Sequence, residues 1–303
     1  MSESEKQYVA SISYGKDSLA MLYVITDVLH WPLDRIITAD VWATDTIPAD
    51  LPPMVEFKAY ADEEIKRRWG IEVEHFCAMA NGEPTNYEKQ FYAKVGEKRL
   101  EARKHEFYDL RKAHNANGKM DICGFPLAKG AWCNSKLKMA AIEKSKKAIK
   151  DAIQYIGIAF DEPKRIERHK NKARVEMPLV EAEWTEQMCR EWCEKNSLLS
   201  PIYTTSARGG CWFCHNQGVN QLRLLRRNYP DLWALILKWD NDSPSTFHAD
   251  GKTVHDYDER FRWEDEGFLP TEKQFRWADV ANAQMNIFQI INDKSGEGGY
   301  EYV

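Results

Sequence analysis

Six consecutive residues, Ser13-Tyr14-Gly15-Lys16-Asp17-Ser18, carry the sharpest chemical signal in the chain. They suit a phosphate. Backbone N–H groups of a tight turn and of a helix N-terminus converge on an anion there, and the helix dipole favours it. Gly15 permits the turn and a close backbone approach. Lys16 supplies positive charge, the Ser13 and Ser18 hydroxyls can donate, and Asp17 could help hold a magnesium ion bridging phosphates. The leading Gly-x4 of a Walker A loop is missing. Gly251-Lys252-Thr253 is a decoy, because position 246 is Thr and no strand precedes it. The plain alternative for residues 13–18 is a strand-to-helix turn capped by Ser18. The full hexapeptide between a strand and a helix favours the phosphate.

Cys211-x-x-Cys214 has the spacing of a metal half-site, and two further thiolates must come from elsewhere. Cys193, in the helix that precedes this loop, is the candidate fourth ligand, with Cys189 one helical turn away on a similar face. Cys211 to His215 also spells Cys-x-x-Cys-His, the c-type haem attachment pattern. Attachment needs export, and the polar, acidic start Met1-Ser2-Glu3-Ser4-Glu5-Lys6 does not read as a signal peptide. His215 is better placed as a supporting or fifth candidate ligand. Cys77 and Cys123 read as buried apolar thiols. Seven cysteines, an odd number, argue for reduced thiols or metal ligands over a disulfide framework, and for a cytoplasmic protein.

These residues must be positioned by elements that the apolar pattern predicts. Residues 8–12 form a short strand-like run, followed by Leu19, Leu22, Ile25, Val28 and Leu29 at helical spacing. Strands are expected over 35–41, 71–76 and 153–158. Helices are expected over 56–69, 86–114, 134–149, 185–195, 220–228 and 231–239, with Pro48, Pro52 and Pro53 marking a loop. Alternating strands and helices imply an α/β fold: a mostly parallel twisted sheet with helices on both faces, followed by a mainly helical or irregular C-terminal extension. The expected division is a nucleotide-binding domain over 1–200 and an extension over 201–303.

At this point the chain resembles a family. Ser-x-Gly-Lys-Asp-Ser after the first strand looks like the PP-loop of the N-type ATP pyrophosphatases, whose fold is of the adenine nucleotide alpha hydrolase kind. Gly124-Phe125-Pro126, then Trp132-Cys133-Asn134 and Leu137-Lys138, resembles the middle motif of the phosphoadenosine phosphosulfate (PAPS) reductase-like branch. Gly157-Ile158-Ala159-Phe160-Asp161-Glu162-Pro163-Lys164-Arg165 and Met177-Pro178-Leu179…Trp184-Thr185-Glu186 are similar to two further segments of that branch. Cys211-Trp212-Phe213-Cys214 resembles the tail of phage-type members. The likeness spans about residues 7–240.

The resemblance implies cleavage of ATP between the α- and β-phosphates, with the loop holding the departing pyrophosphate and an acceptor being adenylated or sulfurated. It implies ATP contacts at 13–18, at Asp40 after the second strand and at Gly157. It implies that Arg165 and Arg168 clamp phosphate oxygens, while Asp161 and Glu162 hold magnesium or orient the arginines. It makes Cys133 the third metal candidate. It favours a four-cysteine [4Fe-4S] cluster on Cys133, Cys193, Cys211 and Cys214, with zinc as the competitor. True PAPS reductases replace the Lys-Asp pair and attack with a cysteine on a C-terminal tail. This chain keeps Lys16 and Asp17, and residues 293–303 hold no cysteine. A sulfonucleotide reductase and a non-catalytic nucleotide sensor are the competing readings.

The charge pattern bears on partners. The chain has 303 residues and a net charge of -5, with a mean hydropathy of -0.61. No apolar run approaches a membrane span. Residues 239–303 hold 14 acids and 6 Lys/Arg, which leaves +3 on the first 238. Basic stretches over 136–150 and 164–174 flank the nucleotide motifs. They read either as solvated faces or as a funnel for a polyanionic acceptor, tRNA or DNA, with a small nucleotide-like molecule as the alternative. Trp132, Trp184, Trp212, Trp233 and Trp239 could stack bases, although packing is their commoner use.

Overall fold

The computed structural model describes residues 6–105, 118–126, 131–148, 152–204, 210–248 and 251–271. The chain divides into two compact units, Met1–Lys94 with Lys129–Cys214, and Val95–Ala128 with His215–Val303. This differs from a division at 200/201. Residues 201–214 stay with the sheet, and the segment 95–128 leaves it.

In the first unit β1 (Tyr8–Ile12) leads into α1 (Lys16–Tyr23), which continues as a π-helical turn over Val24–Val28. Then come β2 (Arg35–Asp40), α2 (Pro52–Trp69), β3 (Val73–Cys77), the small hairpin β4 (Met79–Ala80) and β5 (Glu83–Pro84), and α3 (Tyr87–Phe91). The expected stripe on the first helix holds through Ile25. The wider π turn rotates Val28 off it, leaving that side chain 40% exposed. Helix α2 starts at Pro52, earlier than expected, because proline suits a first helical turn, where its missing N–H costs nothing. It ends on Gly70 at φ 70°, with Lys66, Arg67 and Arg68 in its last turn facing the negative end of the dipole.

After residue 130 a π-helical turn over Asn134–Met139 runs into α5 (Ala140–Ala148). The remaining elements are β6 (Ile153–Ile156), α6 (Pro163–His169), β7 (Val175–Glu176), α7 (Pro178–Glu181), α8 (Glu186–Lys195) and a 3-10 turn over Pro201–Thr204. The five-stranded sheet has the order β3-β2-β1-β6-β7, and every pairing is parallel. The chain winds outward from β1 to β3, then returns to the other side of β1. The seam between β1 and β6 is therefore the topological switch point, where open α/β sheets leave a crevice at the strand C-termini. Ala10, Ile12 and Ile36 pack with the apolar faces of α1, α2 and α8 in one core. The alternate residues Val9 and Ile37 point to the opposite face and pack with Phe76. Helix α5 lies against β2 and β3.

The long helix expected over 86–114 is interrupted. Asn86 caps α3, its side chain accepting from Lys89 N at 2.8 Å. The chain then breaks before Gly96 and restarts as α4 (Glu97–His105) in the second unit. There Val95 N donates to Asp121 O at 2.9 Å, a bond that a continuous helix would forbid. Residues 106–117 and 149 lie outside the described residues.

The second unit also holds α9 (Val219–Asn228), α10 (Pro230–Asp242) and α11 (Val254–Asp265). Helix α11 opens on a capping box between Thr253 and Asp256. Gly124 sits at φ 68°, and a Cβ there would come within 2.6 Å of Pro244 Cδ, so only glycine fits. Gly124-Phe125-Pro126 thus packs against the end of α10, and Phe125 N donates to Ser243 Oγ at 3.1 Å. Trp233 and Trp239 are buried in α10, used for packing. Among the described residues no helix is long and apolar enough to cross a membrane.

Candidate functional site

The loop 13–18 leaves the C-terminus of β1 and enters α1 as expected, but its backbone solves the turn differently. Gly15 is extended, at φ -76° and ψ 156°. The left-handed residue is Tyr14, at φ 56°. A Cβ on Gly15 would meet only ordinary contacts, the nearest being Tyr203 Oη at 3.4 Å. The tight approach lies across the sheet seam. A Cβ on Gly157 would stand 3.0 Å from Ser18 Cα and 3.1 Å from Ser18 N, so glycine after β6 is what lets the loop settle. Ser18 closes the turn. Its hydroxyl donates to Gly15 O at 2.9 Å and accepts from Ser13 N at 3.2 Å. Lys16 N donates to the Tyr203 hydroxyl at 3.3 Å.

A cavity of about 800 Å³ opens at this seam, within the first unit. That is ample for a nucleotide-sized ligand. All six loop residues line it, together with the C-terminal end of β2 at Thr38 and Ala39, and Gly157 after β6. Lys16 Nζ lies 2.7 Å from Asp17 Oδ1 and 2.8 Å from Glu186 Oε2. Burial pulls the Lys16 pKa down, but the hydrogen bonds to the two carboxylates outweigh it, and the ammonium is held above its usual range. Burial pushes Asp17 up, against the hydrogen bond from Lys16, and the nearby charges of Glu186 and Glu162 add to the rise.

Glu162 and Arg165 also face the cavity, paired at 2.6 Å. Glu162 Oε2 additionally accepts from Ala159 N at 3.1 Å. Asp161 does not line the cavity. Its carboxylate accepts from Glu186 N at 2.9 Å, beside Thr185, which caps α8 through Met188 N. Asp161 therefore works as a brace for the start of α8, and Glu186 is the acid that reaches Lys16. Arg168 is exposed one turn beyond Arg165 and is not part of the lining. Asp40 also stands outside it. Its Oδ2 lies 2.8 Å from His75 Nδ1, with Lys58 Nζ 3.8 Å from Oδ1, while Lys58 itself lines the cavity and pairs with Asp50 at 2.6 Å. Glu186, Tyr203, Lys58 and Lys138 are wall residues without a role in the motif reading. Glu186 had a signal, since it follows the capping Thr185 of the Trp-Thr-Glu segment.

Three of the four expected metal ligands share one region of the first unit. Cys133, Cys211 and Cys214 lie within electrostatic reach of one another and of the buried Tyr87 hydroxyl. Cys211 lines the nucleotide-sized cavity. The Cys-Trp-Phe-Cys turn is pinned by Trp212. Its backbone N donates to Ala49 O and its Nε1 to Pro48 O, each at 2.9 Å. Phe213 and Trp132 pack on the Tyr87 ring, at centroid distances of 4.1 and 5.0 Å. Burial pushes the Cys211 thiol up to about 12, with Lys138 pulling it down. Burial and then Cys214 raise Cys133.

Cys193, the fourth expected ligand, lies in the core on the apolar face of α8. It is fully buried in the core with Cys189, and its Sγ donates to Lys16 O at 3.4 Å. Burial pushes its pKa to about 12. The two α8 cysteines, four residues apart, form part of the helix's apolar face against α1. Among the described residues no three His, Cys, Asp or Glu side chains already stand in coordinating geometry. Cys77 and Cys123 are partly exposed rather than buried. None of the seven cysteines forms a disulfide. His215 begins the second unit's share of the chain there, and burial lowers its pKa, favouring a neutral ring.

No known protein-family model matches this chain, and no curated protein matches its sequence.

Proposed function

We propose that the chain is an ATP-binding enzyme that breaks ATP between its α- and β-phosphates and transfers the adenylyl group to an acceptor. One observation carries the reading: the loop 13–18, with Lys16, forms the floor of a large cavity at the β1/β6 switch point. An acceptor oxygen or nitrogen attacks the α-phosphorus. The bond to the bridging oxygen breaks, and pyrophosphate leaves with that electron pair while the acceptor's proton passes to solvent. The loop and Lys16 would take the charge that develops on pyrophosphate, and Arg165, which lines the cavity paired with Glu162, would meet phosphate oxygens. Asp17 and Glu162, both on the cavity lining, would be the carboxylates that hold magnesium. Catalysis of this kind is positioning plus charge neutralisation. Turnover should give AMP, free or attached to the acceptor, and pyrophosphate, as resolved by chromatography of the products. ADP as the main product would sink the reading. ATP binding without any cleavage would point to a nucleotide sensor instead.

The cysteines extend the proposal. Three soft donors within reach of one another, with Cys211 on the cavity wall, fit a thiolate-bound metal, either an iron–sulfur cluster or zinc. Cys133, Cys211 and Cys214 would hold it. A cluster there would supply sulfur-transfer or redox chemistry beside the activated group; with a sulfide-level donor, sulfur would attack the adenylated carbon, the C–O bond would break and AMP would leave with that electron pair. The exposed basic residues of α6 and Lys138 at the cavity make a polyanionic acceptor, tRNA or DNA, the favoured class.

Metal loading has a pH signature. Cys133 and Cys211 both have raised pKa values, so each enters as a thiol at neutral pH and must give up a proton to bind. Titration of the apo-protein with Zn²⁺ should therefore release protons, seen as a calorimetric enthalpy that depends on the buffer. Apparent affinity should rise with pH throughout the neutral range and beyond. Cys211→Ser should weaken Zn²⁺ binding about tenfold or more, on the scale of a lost ligand or its support, whereas Cys193→Ser should leave it unchanged. Equal losses in both variants would restore Cys193 to the site.

A further inference from the structure

We propose that Tyr14 is the positioning residue of the phosphate loop: its buried side chain, clamped by Asp62, fixes the backbone of the loop beside the cavity that would take the pyrophosphate end of the nucleotide. This rests on the ATP-binding reading of the same cavity.

At φ 56° Tyr14 sits in the left-handed region, where a bulky side chain is strained and glycine is the usual occupant. A glycine stands next door at position 15 and does not take that conformation. Something must hold the tyrosine in place, and the structure shows what does. The Tyr14 ring is fully buried. Its hydroxyl donates to Asp62 Oδ1 on α2 at 2.6 Å and lies 3.4 Å from His75 Nε2 on β3. Lys58, also on α2, places its ammonium 5.2 Å from the ring centroid.

The clamp is itself braced. Asp62 Oδ2 lies 3.1 Å from His75 Nε2, and His75 Nδ1 lies 2.8 Å from Asp40 Oδ2. Asp40 thereby gains a role that does not require it to touch nucleotide. It fixes the ring that orients Asp62. The chain from Asp40 to Tyr14 ties the loop to β2, β3 and α2. With the side chain tied to these elements, the loop backbone is fixed beside the cavity that Tyr14 and Gly15 both line. A loop fixed in advance needs little rearrangement when the anion arrives.

The test separates the two ends of the nucleotide. In calorimetry with Mg²⁺, Tyr14→Phe, which removes only the hydroxyl, should weaken binding of inorganic pyrophosphate roughly tenfold, the scale of one buried hydrogen bond. AMP affinity should stay within about twofold, because AMP lacks the leaving phosphates. Asp62→Asn should follow Tyr14→Phe. Tyr14→Gly accepts φ 56° without strain yet loses the anchor, so it should bind pyrophosphate no better than Tyr14→Phe. In the free protein, amide hydrogen exchange at residues 15–18 should quicken in all three variants. Unchanged pyrophosphate affinity and exchange in Tyr14→Phe would overturn the proposal. So would equal losses of pyrophosphate and AMP with a lowered melting temperature, the mark of a merely structural residue. If the unaltered protein binds neither ATP nor pyrophosphate, the ATP reading falls, and the exchange measurement still decides whether Tyr14 anchors the loop.

Discussion

Replacing Lys16 by alanine should weaken ATP binding by about 1–3 kcal/mol, the scale of a lost charge-assisted hydrogen bond, and slow turnover by a further ~10²-fold. The affinity term follows from the site's charge. Lys16 Nζ is the cation between Asp17 and Glu186, and its side chain is only 12% exposed. Without it, two carboxylates face the incoming triphosphate with nothing between them. The turnover term follows from the reaction. Charge grows on the departing pyrophosphate as the α–β bond breaks, so a fixed cation helps the transition state more than the ground state. Glu186→Gln sets the sign. It removes one negative charge from the cavity and releases Lys16 from one of its partners, so ATP affinity should hold or rise. Calorimetry showing equal ATP affinity for Lys16→Ala and the unaltered protein would remove Lys16 from the site. A loss in Glu186→Gln as large as that in Lys16→Ala would mean that the pair acts only as a structural tie.

The loop was legible because its residue types, its spacing and its place between a β-branched run and an apolar helix all agree. What it does internally was not. Sequence reasoning gives the unusual backbone conformation to glycine, and here Tyr14 takes it, since a side chain anchored 48 positions away can outweigh local preference. Asp161 and Glu186 show the same limit. Both are acids in motif segments, and only the geometry of the α8 N-terminus tells which one braces a helix and which one faces the cavity. The cysteines of α8 show the pull of the core. Distance along the chain from Cys193 to Cys211 permits convergence, but the spacing of Cys189 and Cys193 is also that of a helix's buried stripe, and the core claimed both. Strand β7 has two residues, too few to show an alternation. Helix α11 was hidden because its inward face includes Arg260 and Glu264, so its pattern looked solvated.

That concealed face leads to the largest stability effect expected in the second unit. Glu264 accepts from Arg223 Nε at 2.5 Å and Nη2 at 2.8 Å, and from Arg260 Nε at 2.6 Å. The side-chain exposures are 7% for Arg223, 1% for Arg260 and 0% for Glu264. Two guanidinium groups thus share one carboxylate away from water, and Arg223 also lies 5.2 Å from the centre of the Phe261 ring. Glu264→Gln keeps the volume but removes the carboxylate that Arg223 and Arg260 share, turning charge-assisted hydrogen bonds into neutral ones. The expected cost is about 3–5 kcal/mol, that of breaking a buried ion pair from one side. The midpoint of urea denaturation, followed by the fluorescence of the buried tryptophans, should fall accordingly. Replacing all three residues together, Arg223→Leu with Arg260→Met and Glu264→Leu, should recover most of that loss, because the charges of the triad go together and their desolvation cost disappears. A loss below about 1 kcal/mol in Glu264→Gln would place the triad energetically with exposed surface pairs. A triple variant no more stable than Glu264→Gln would mean that the shape of the arginines, packed against Phe261, matters more than their charge.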